Sequence, residues 1–283
     1  MSRIIIGVHG LANKPKRATL DQGWRQSIIE GLKRNCGRTN DEIAFEGVYW
    51  ADRVYPEPVA DAENREPYLP APGSGPLPTY DDGWLDDVIA GLGDLWSVPI
   101  DAAKNYFGWN TVADKLLELK LKDLYLYYTN AAKRDELRGL LRSALMNHKG
   151  KRIMVVAHSM GSIIAYDVLR RMGREDPNFR LDHFVTIGSP LGLPHVKNKI
   201  YEENDLVRTP SCVAKWTNFA DRRDPVAFDV HLAEDYAAND RGVRVEDDLI
   251  INGYRGRDDH PNYHKSYGYL RAPEVSKLIR TFI

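Results

Sequence analysis

Short apolar runs and longer periodic segments alternate along the first fifty residues. Residues 4–8 form a β-branched apolar run, which predicts a short buried strand. Residues 21–34 repeat apolar side chains at helical spacing and predict an amphipathic helix. Residues 43–50 predict a second strand. The chain therefore begins in the order strand, helix, strand.

The second half of the chain repeats this order. Its predicted strands are residues 153–156, 183–187, 213–219 and 249–251, and its predicted helices are residues 135–146, 162–172 and 272–283. Strands that alternate with helices indicate a parallel sheet, because each parallel connection needs a crossover. We therefore predict an α/β fold in which a mostly parallel central sheet carries helices on both faces.

A segment of different character lies between these two halves. Residues 56–78 hold seven of the 16 prolines, and proline lacks the backbone donor that regular structure requires. Residues 84–109 and 111–121 return to helical spacing and are rich in tryptophan. We interpret residues 51–130 as a Pro-rich loop and a largely helical cap, inserted into a single domain that spans residues 1–283.

Composition narrows the class of protein. The chain has 283 residues, 43% hydrophobic and 28% charged, a balance that excludes a disordered or fibrous chain. Its net charge of −1 gives no overall positive field, so we expect no nucleic-acid partner. The two cysteines, Cys36 and Cys212, are expected to be buried free thiols. No apolar run is long enough for a signal peptide or a membrane span, so the expected location is the cytoplasm.

Candidate chemistry appears where the third predicted strand meets the helix after it. Residues 157–161 read A-H-S-M-G, which fits the strand–turn–helix pattern G-x-S-x-G except that alanine replaces the first glycine. Such a turn lifts the hydroxyl of Ser159 off the sheet edge, and the close approach of strand and helix requires small side chains at 157 and 161. The simpler alternative is a serine that caps a helix N-terminus.

These residues resemble the α/β-hydrolase superfamily, in particular its lipase-like and esterase-like serine hydrolases with an A-H-S-M-G nucleophile elbow. The resemblance covers about residues 3–50 and 130–283 and leaves out the insertion. It implies an early strand that ends in His-Gly, as this chain does at residues 9–10. By the same resemblance, the backbone N–H groups of Leu11 and Met160 form the oxyanion hole.

A serine nucleophile needs an imidazole to accept its proton and a carboxylate to orient that imidazole. In this superfamily the order along the chain is Ser, then Asp or Glu, then His. For the acid, the resemblance favours Asp224, which stands in an Asp-Pro-Val turn, with Asp221 as the alternative. For the base it favours His264, shortly before the last helix, with His260 and His231 as alternatives.

Two other histidines lie beside candidate site residues. His9 directly follows a strand, which favours a structural role. His158 adjoins the nucleophile in sequence, so its side chain is expected to point elsewhere. Neither is expected to be the base. Residues 188–191, which read Gly-Ser-Pro-Leu, are expected to border the site without taking part in the chemistry.

The candidate residues predict a serine hydrolase that cleaves carboxylic esters through an acyl-enzyme intermediate. Thioesterases, lipases, phospholipases and acyltransferases share that intermediate, and the sequence leaves them open. The alternative is a non-catalytic interaction protein or a membrane-peripheral protein that uses the aromatic insertion as its contact surface. No metal-binding or nucleotide-binding motif is present in the sequence, so we expect no cofactor. The expected partner is a small-molecule or lipid acyl ester, and the oligomeric state is open.

Overall fold

The computed structural model describes residues 1–40, 42–80, 122–227 and 229–283. The strands of this part of the chain are β1 (Arg3–Val8), β2 (Phe45–Val48), β3 (Arg152–His158), β4 (His183–Ile187), β5 (Trp216–Ala220) and β6 (Val245–Leu249). They form one parallel sheet in the order β2-β1-β3-β4-β5-β6. The predicted α/β fold with a parallel central sheet is confirmed.

Eight α-helices accompany the sheet in the described residues. They are α1 (Arg17–Cys36), α2 (Lys122–Thr129), α3 (Ala131–Asn147), α4 (Met160–Glu175), α5 (Pro194–Asn204), α6 (Leu232–Asp235), α7 (Ser266–Arg271) and α8 (Pro273–Phe282). Helices α1, α7 and α8 pack with one face of the sheet, and α2 to α5 pack with the other. The sheet is therefore buried on both faces, which explains why its central strands are almost continuously apolar.

Side chains from the central strands divide between two separate cores. In β1, Ile6 belongs to the core on the α4 side, and Ile5 belongs to the core on the α1 side. Strand β3 alternates in the same way, with Val155 in the first core and Val156 in the second. This is the two-residue period of a β-strand, and it holds each strand in register because a slip of one residue would exchange the two faces.

The position predicted for the last strand is wrong. Strand β6 is Val245–Leu249 rather than 249–251, so the two share only one residue. Its sequence, Val-Glu-Asp-Asp-Leu, contains three carboxylates because β6 is an edge strand that is partly open to water. The apolar residues 250–251 are buried just after the strand ends. Strand β5 likewise begins at Trp216, three residues later than the pattern predicts.

The Pro-rich part of the insertion is a loop, as its prolines predict, whereas α2 forms the last described part of the insertion. Residues 56–80 contain no helix or strand. The guanidinium of Arg34 donates to the carbonyl oxygens of Gly75 and Ala71, at 2.7 and 3.0 Å. Arg271 donates to the carbonyl oxygen of Leu69 at 2.7 Å. These contacts hold the loop against α1 and the C-terminal part of the chain. The helices predicted at 84–109 and 111–121 lie outside the described residues.

The strand order places a crevice between β1 and β3. From β1 the chain moves outward to β2 on one side, and it then returns to β3 on the other side of β1. In open parallel sheets such a switch in direction leaves a crevice at the carboxyl ends of the strands, where ligands bind. The segment that begins at His9 leaves β1 at this edge, and Ser159 leaves β3 beside it.

Candidate active site

Ser159 occupies a strained turn between β3 and α4. Its backbone has φ 54° and ψ −130°, a combination that costs a residue other than glycine about 1–3 kcal/mol. The N–H of Ser159 donates to the carbonyl oxygen of Ile187 at 3.2 Å, which ties the turn to β4. Strain that is held in this way by neighbouring structure is found at functional sites.

Steric crowding explains why the turn contains small residues. A Cβ atom built on Gly161 would lie 2.4 Å from the carbonyl oxygen of Val8 and 2.6 Å from that of His9. Both contacts are with backbone, so no side-chain movement would relieve them. Ala157 is fully buried in the core on the α4 side, where its methyl group fits. Only glycine at 161 therefore lets α4 begin this close to the end of β1.

The nucleophile candidate, the base candidate and one acid candidate form a continuous chain of hydrogen bonds. The hydroxyl of Ser159 donates to Nε2 of His264 at 2.9 Å. The Nδ1–H of His264 donates to Oδ2 of Asp224 at 2.8 Å. The three residues are up to 105 positions apart in sequence, and the ends of β3, β5 and the loop before α7 bring them together. This arrangement matches the geometry required for an activated serine.

Asp224 is held in place by further donors. Its Oδ1 accepts from the backbone N–H of Val226 at 2.9 Å, and its Oδ2 accepts from the hydroxyl of Tyr269 at 2.7 Å. Burial, followed by the nearby Asp224 charge, raises the pKa of Tyr269 well above its ordinary value, so this hydroxyl remains a donor. Gly188 also packs closely against this carboxylate, since a Cβ atom built on Gly188 would lie 2.8 Å from Oδ2 of Asp224.

The structure brings the preferred acid to His264 and leaves the alternative elsewhere. The carboxylate of Asp221 accepts from the guanidinium of Arg223 at 2.6 Å and from the backbone N–H of Asn252 at 2.6 Å. These contacts hold the loop after β5. The alternative bases, His231 and His260, are both exposed, and in the described residues neither bonds to the nucleophile.

His9 is structural, as its position predicts. Its ring stacks on Trp50 with centroids 4.5 Å apart, its Nδ1–H donates to the carbonyl oxygen of Gly10, and its Nε2 accepts from the backbone N–H of Trp50. Burial, with a smaller contribution from the charge of Lys14, lowers the pKa of His9 to about 3. The neutral ring therefore fixes the exit of the chain from β1.

His158 does not point away from the site, contrary to the expectation from its sequence position. Its Nε2–H donates to the carbonyl oxygen of His264 at 2.7 Å, and the two rings lie 4.6 Å apart. Burial, and then repulsion from His264, lowers the pKa of His158 well below its ordinary value. It is a neutral residue that fixes the backbone of His264, a contact that sequence spacing does not reveal.

Two side chains hold the peptide group between Leu11 and Ala12 in the loop after β1. The carbonyl oxygen of Leu11 accepts from Nζ of Lys14, and the N–H of the same peptide, which belongs to Ala12, donates to Oδ2 of Asp123 at 2.5 Å. Asp123 is buried, and its Oδ1 accepts from the hydroxyl of Tyr55 at 2.7 Å. Ala12 has a positive φ of 71°, so these contacts hold an unfavourable backbone conformation. We call Lys14 and Asp123 the peptide clamp.

A cavity of about 500 Å³ opens over Ser159 and His264. The loop after β1, residues 59–66 of the Pro-rich loop and residues 258–267 form its walls. Its volume is within the range of small-molecule sites. In the described part of the chain, no group of three His, Cys, Asp or Glu side chains is arranged to hold a metal ion. No helix among the described residues is both long and apolar enough to cross a membrane.

Comparison with known protein families gives a match over part of the chain. Residues 108–204 match the family model of an alpha/beta hydrolase of unknown function (DUF900). The match includes β3, Ser159 and α4, and it ends before Asp224 and His264. Curated proteins gave no match. The parallel sheet covered by helices on both faces agrees with the α/β-hydrolase fold that this family model describes.

Proposed function

We propose that the protein is a serine hydrolase that cleaves carboxylic esters through a Ser159–His264–Asp224 triad. The observation that carries the proposal is the unbroken hydrogen-bond chain from the serine hydroxyl through the imidazole to the buried carboxylate. In this chain Nδ1 of His264 holds the proton, so Nε2 is free to accept the proton of the serine.

The reaction follows from the positions of these atoms. Ser159 Oγ attacks the carbonyl carbon of the ester while Nε2 of His264 takes its proton. Asp224 stabilises the imidazolium that forms. When the tetrahedral intermediate collapses, the bond to the alcohol oxygen breaks and His264 returns the proton to the leaving alcohol. Water, deprotonated by the same imidazole, then attacks the acyl-enzyme, which releases the acid and restores the Ser159 hydroxyl.

The proposal assigns the oxyanion hole to the backbone N–H groups of Leu11 and Met160. Neither group donates a hydrogen bond to the described residues, so both are available. Met160 is the first residue of α4, where the N-terminal N–H groups of a helix favour negative charge. One such donor stabilises the transition state by about 3–4 kcal/mol.

The proposal includes action in the cytoplasm. Cys36 and Cys212 are both free thiols, which persist in reducing compartments. Cys212 is buried as expected, whereas Cys36 is only half-buried.

A fluorophosphonate probe tests the proposed nucleophile, because it reacts with activated serines. We expect wild-type protein and a Ser211→Ala control to be labelled, Ser159→Ala to remain unlabelled, and His264→Ala to react far more slowly. Equal labelling of wild type and Ser159→Ala would exclude Ser159 as the nucleophile. Folded wild-type protein that does not react would instead favour a non-catalytic member of the superfamily.

A further inference from the structure

Two lysine side chains line the cavity that contains the nucleophile. Lys14 lies in the loop after β1, and Lys265 follows His264 directly. Glu66, from the Pro-rich loop, lines the same cavity. All three are partly buried, so their charges act in a less polar setting than bulk water. The carboxylates of Glu63 and Asp258 are exposed at the rim, where water screens them.

The charge of Lys265 is already paired. Its Nζ lies 3.1 Å from Oε2 of Glu66, and it sits near the rings of Tyr254 and Tyr267, at 6.0 and 5.5 Å from their centroids. The other oxygen of Glu66 accepts from the side-chain amide of Asn262 at 2.6 Å. Glu66 is therefore committed to Lys265.

Lys14 has no such partner. Its Nζ donates to the carbonyl oxygen of Leu11, and no carboxylate of the described residues lies within ion-pair distance of it. An ammonium group has three donors, so two remain for a ligand. Burial, followed by repulsion from Lys265, lowers the pKa of Lys14 to about 7 despite the opposing effects of Asp123 and Glu66. A positive charge that is poorly compensated in this way is stabilised by an incoming anion.

We propose that the natural substrate is an ester that carries an anionic group, of the carboxylate or phosphate type, and that Lys14 binds this group while Ser159 attacks the ester carbonyl. The inference rests on the proposed serine hydrolase function and adds the substrate class. Lys265 strengthens the positive potential around this site, and Glu66 weakens it.

A matched pair of esters tests the proposal: p-nitrophenyl hexanoate, which is neutral, and mono-p-nitrophenyl adipate, which has the same chain length and ends in a carboxylate. The readout is the ratio of kcat/KM for the anionic ester to kcat/KM for the neutral ester, measured below pH 7, where Lys14 is charged. Damage to the triad or to the oxyanion hole lowers both values and leaves this ratio unchanged. The ratio therefore reports recognition of the anion alone.

We expect wild-type protein to prefer the anionic ester. Lys14→Met should lower the ratio about tenfold, the loss expected for one charge-assisted hydrogen bond. Lys14→Arg should largely keep it, and Lys199→Met, which removes a surface charge on α5, should not change it. Glu66→Gln should raise the ratio, because it removes a negative charge from the cavity. A variant that only disturbed the packing of the cavity would not raise the ratio.

The outcomes separate the inference from the function on which it rests. Hydrolysis of both esters at equal rates, or a ratio that Lys14→Met leaves unchanged, would overturn the anionic substrate and leave the serine hydrolase standing. If Lys14→Met does not fold, a ratio that Glu66→Gln fails to raise overturns the anionic substrate in the same way. Absence of turnover of both esters, together with absence of fluorophosphonate labelling, would remove both proposals.

Discussion

The peptide clamp gives the proposed oxyanion hole a testable support. Asp123 Oδ2 accepts from the N–H of Ala12, and the Leu11–Ala12 peptide is thereby held in one orientation. The conformation of Leu11 sets the direction of its own N–H, the proposed oxyanion donor. Asp123→Ala removes the acceptor and leaves the N–H of Ala12 and the hydroxyl of Tyr55 without this partner.

The expected effect on kcat has an upper and a lower bound. Complete loss of one oxyanion donor costs about 3–4 kcal/mol, or a few hundredfold in kcat. The Leu11 N–H is still present in Asp123→Ala and is only less well oriented, so the loss should be smaller. We expect kcat to fall between about tenfold and a hundredfold with KM nearly unchanged, since the interaction operates in the transition state.

Two variants distinguish a change in the orientation of the Leu11 N–H from a general loss of structure. Asp123→Asn keeps an oxygen for the Ala12 N–H and presents an amide N–H to the Tyr55 hydroxyl, which accepts it, so most of kcat should return. Tyr55→Phe removes only the contact with Oδ1 and should have a small effect. The assay is steady-state hydrolysis of p-nitrophenyl hexanoate, with folding checked by thermal unfolding. Unchanged kcat in folded Asp123→Ala would refute the reasoning.

Three further predictions concern pH and packing. The preference for the anionic ester should fall as pH rises through about 7, because Lys14 loses its charge there in the free enzyme, whose ionisations govern kcat/KM. A ratio of the two kcat/KM values that stays constant with pH would count against Lys14. Burial holds the pKa of His9 near 3, so between pH 6.5 and 3 the unfolded chain binds a proton that the folded chain does not. The free energy of unfolding should therefore fall with decreasing pH, and His9→Gln should reduce the slope in urea titrations by about 1.4 kcal/mol per pH unit; equal slopes would contradict this. Gly161→Ala should lower the free energy of unfolding by at least about 1–3 kcal/mol, because its Cβ meets two backbone oxygens. Gly139→Ala, in open space on α3, should instead stabilise by about 0.5–1 kcal/mol, and similar urea midpoints for the two variants would refute the steric argument.

The sheet and the nucleophile turn were predictable because their signals are local. A continuous apolar run such as residues 153–156 is typical of a strand that is buried on both faces of a covered sheet. The small side chains around Ser159 indicate the close packing of β3 and α4. The edge strand β6 was misplaced for the opposite reason. Three of its five residues are acidic, and Glu246 and Asp248 are exposed, so it lacks the apolar run by which strands are recognised.

The supports of the site could not be predicted, because they depend on contacts between distant segments. Ala12 and Asp123 are 111 positions apart, and His158 and His264 are 106 apart. Both aspartates of the loop after β5 are buried, and the sequence does not show which partner each carboxylate meets, so it does not decide between Asp221 and Asp224. Their roles differ because Asp221 pairs with Arg223, whereas Asp224 accepts a hydrogen bond from His264.

The most direct test of the central claim is to trap the acyl-enzyme. Wild-type protein mixed with p-nitrophenyl hexanoate and quenched in acid should carry one hexanoyl group, which peptide mass spectrometry should locate on Ser159. Asp224→Asn should accumulate the same adduct more slowly, because His264 loses the partner that orients it. Turnover that leaves Ser159 unmodified, or a hexanoyl group on another residue that Ser159→Ala retains, would contradict the proposed mechanism.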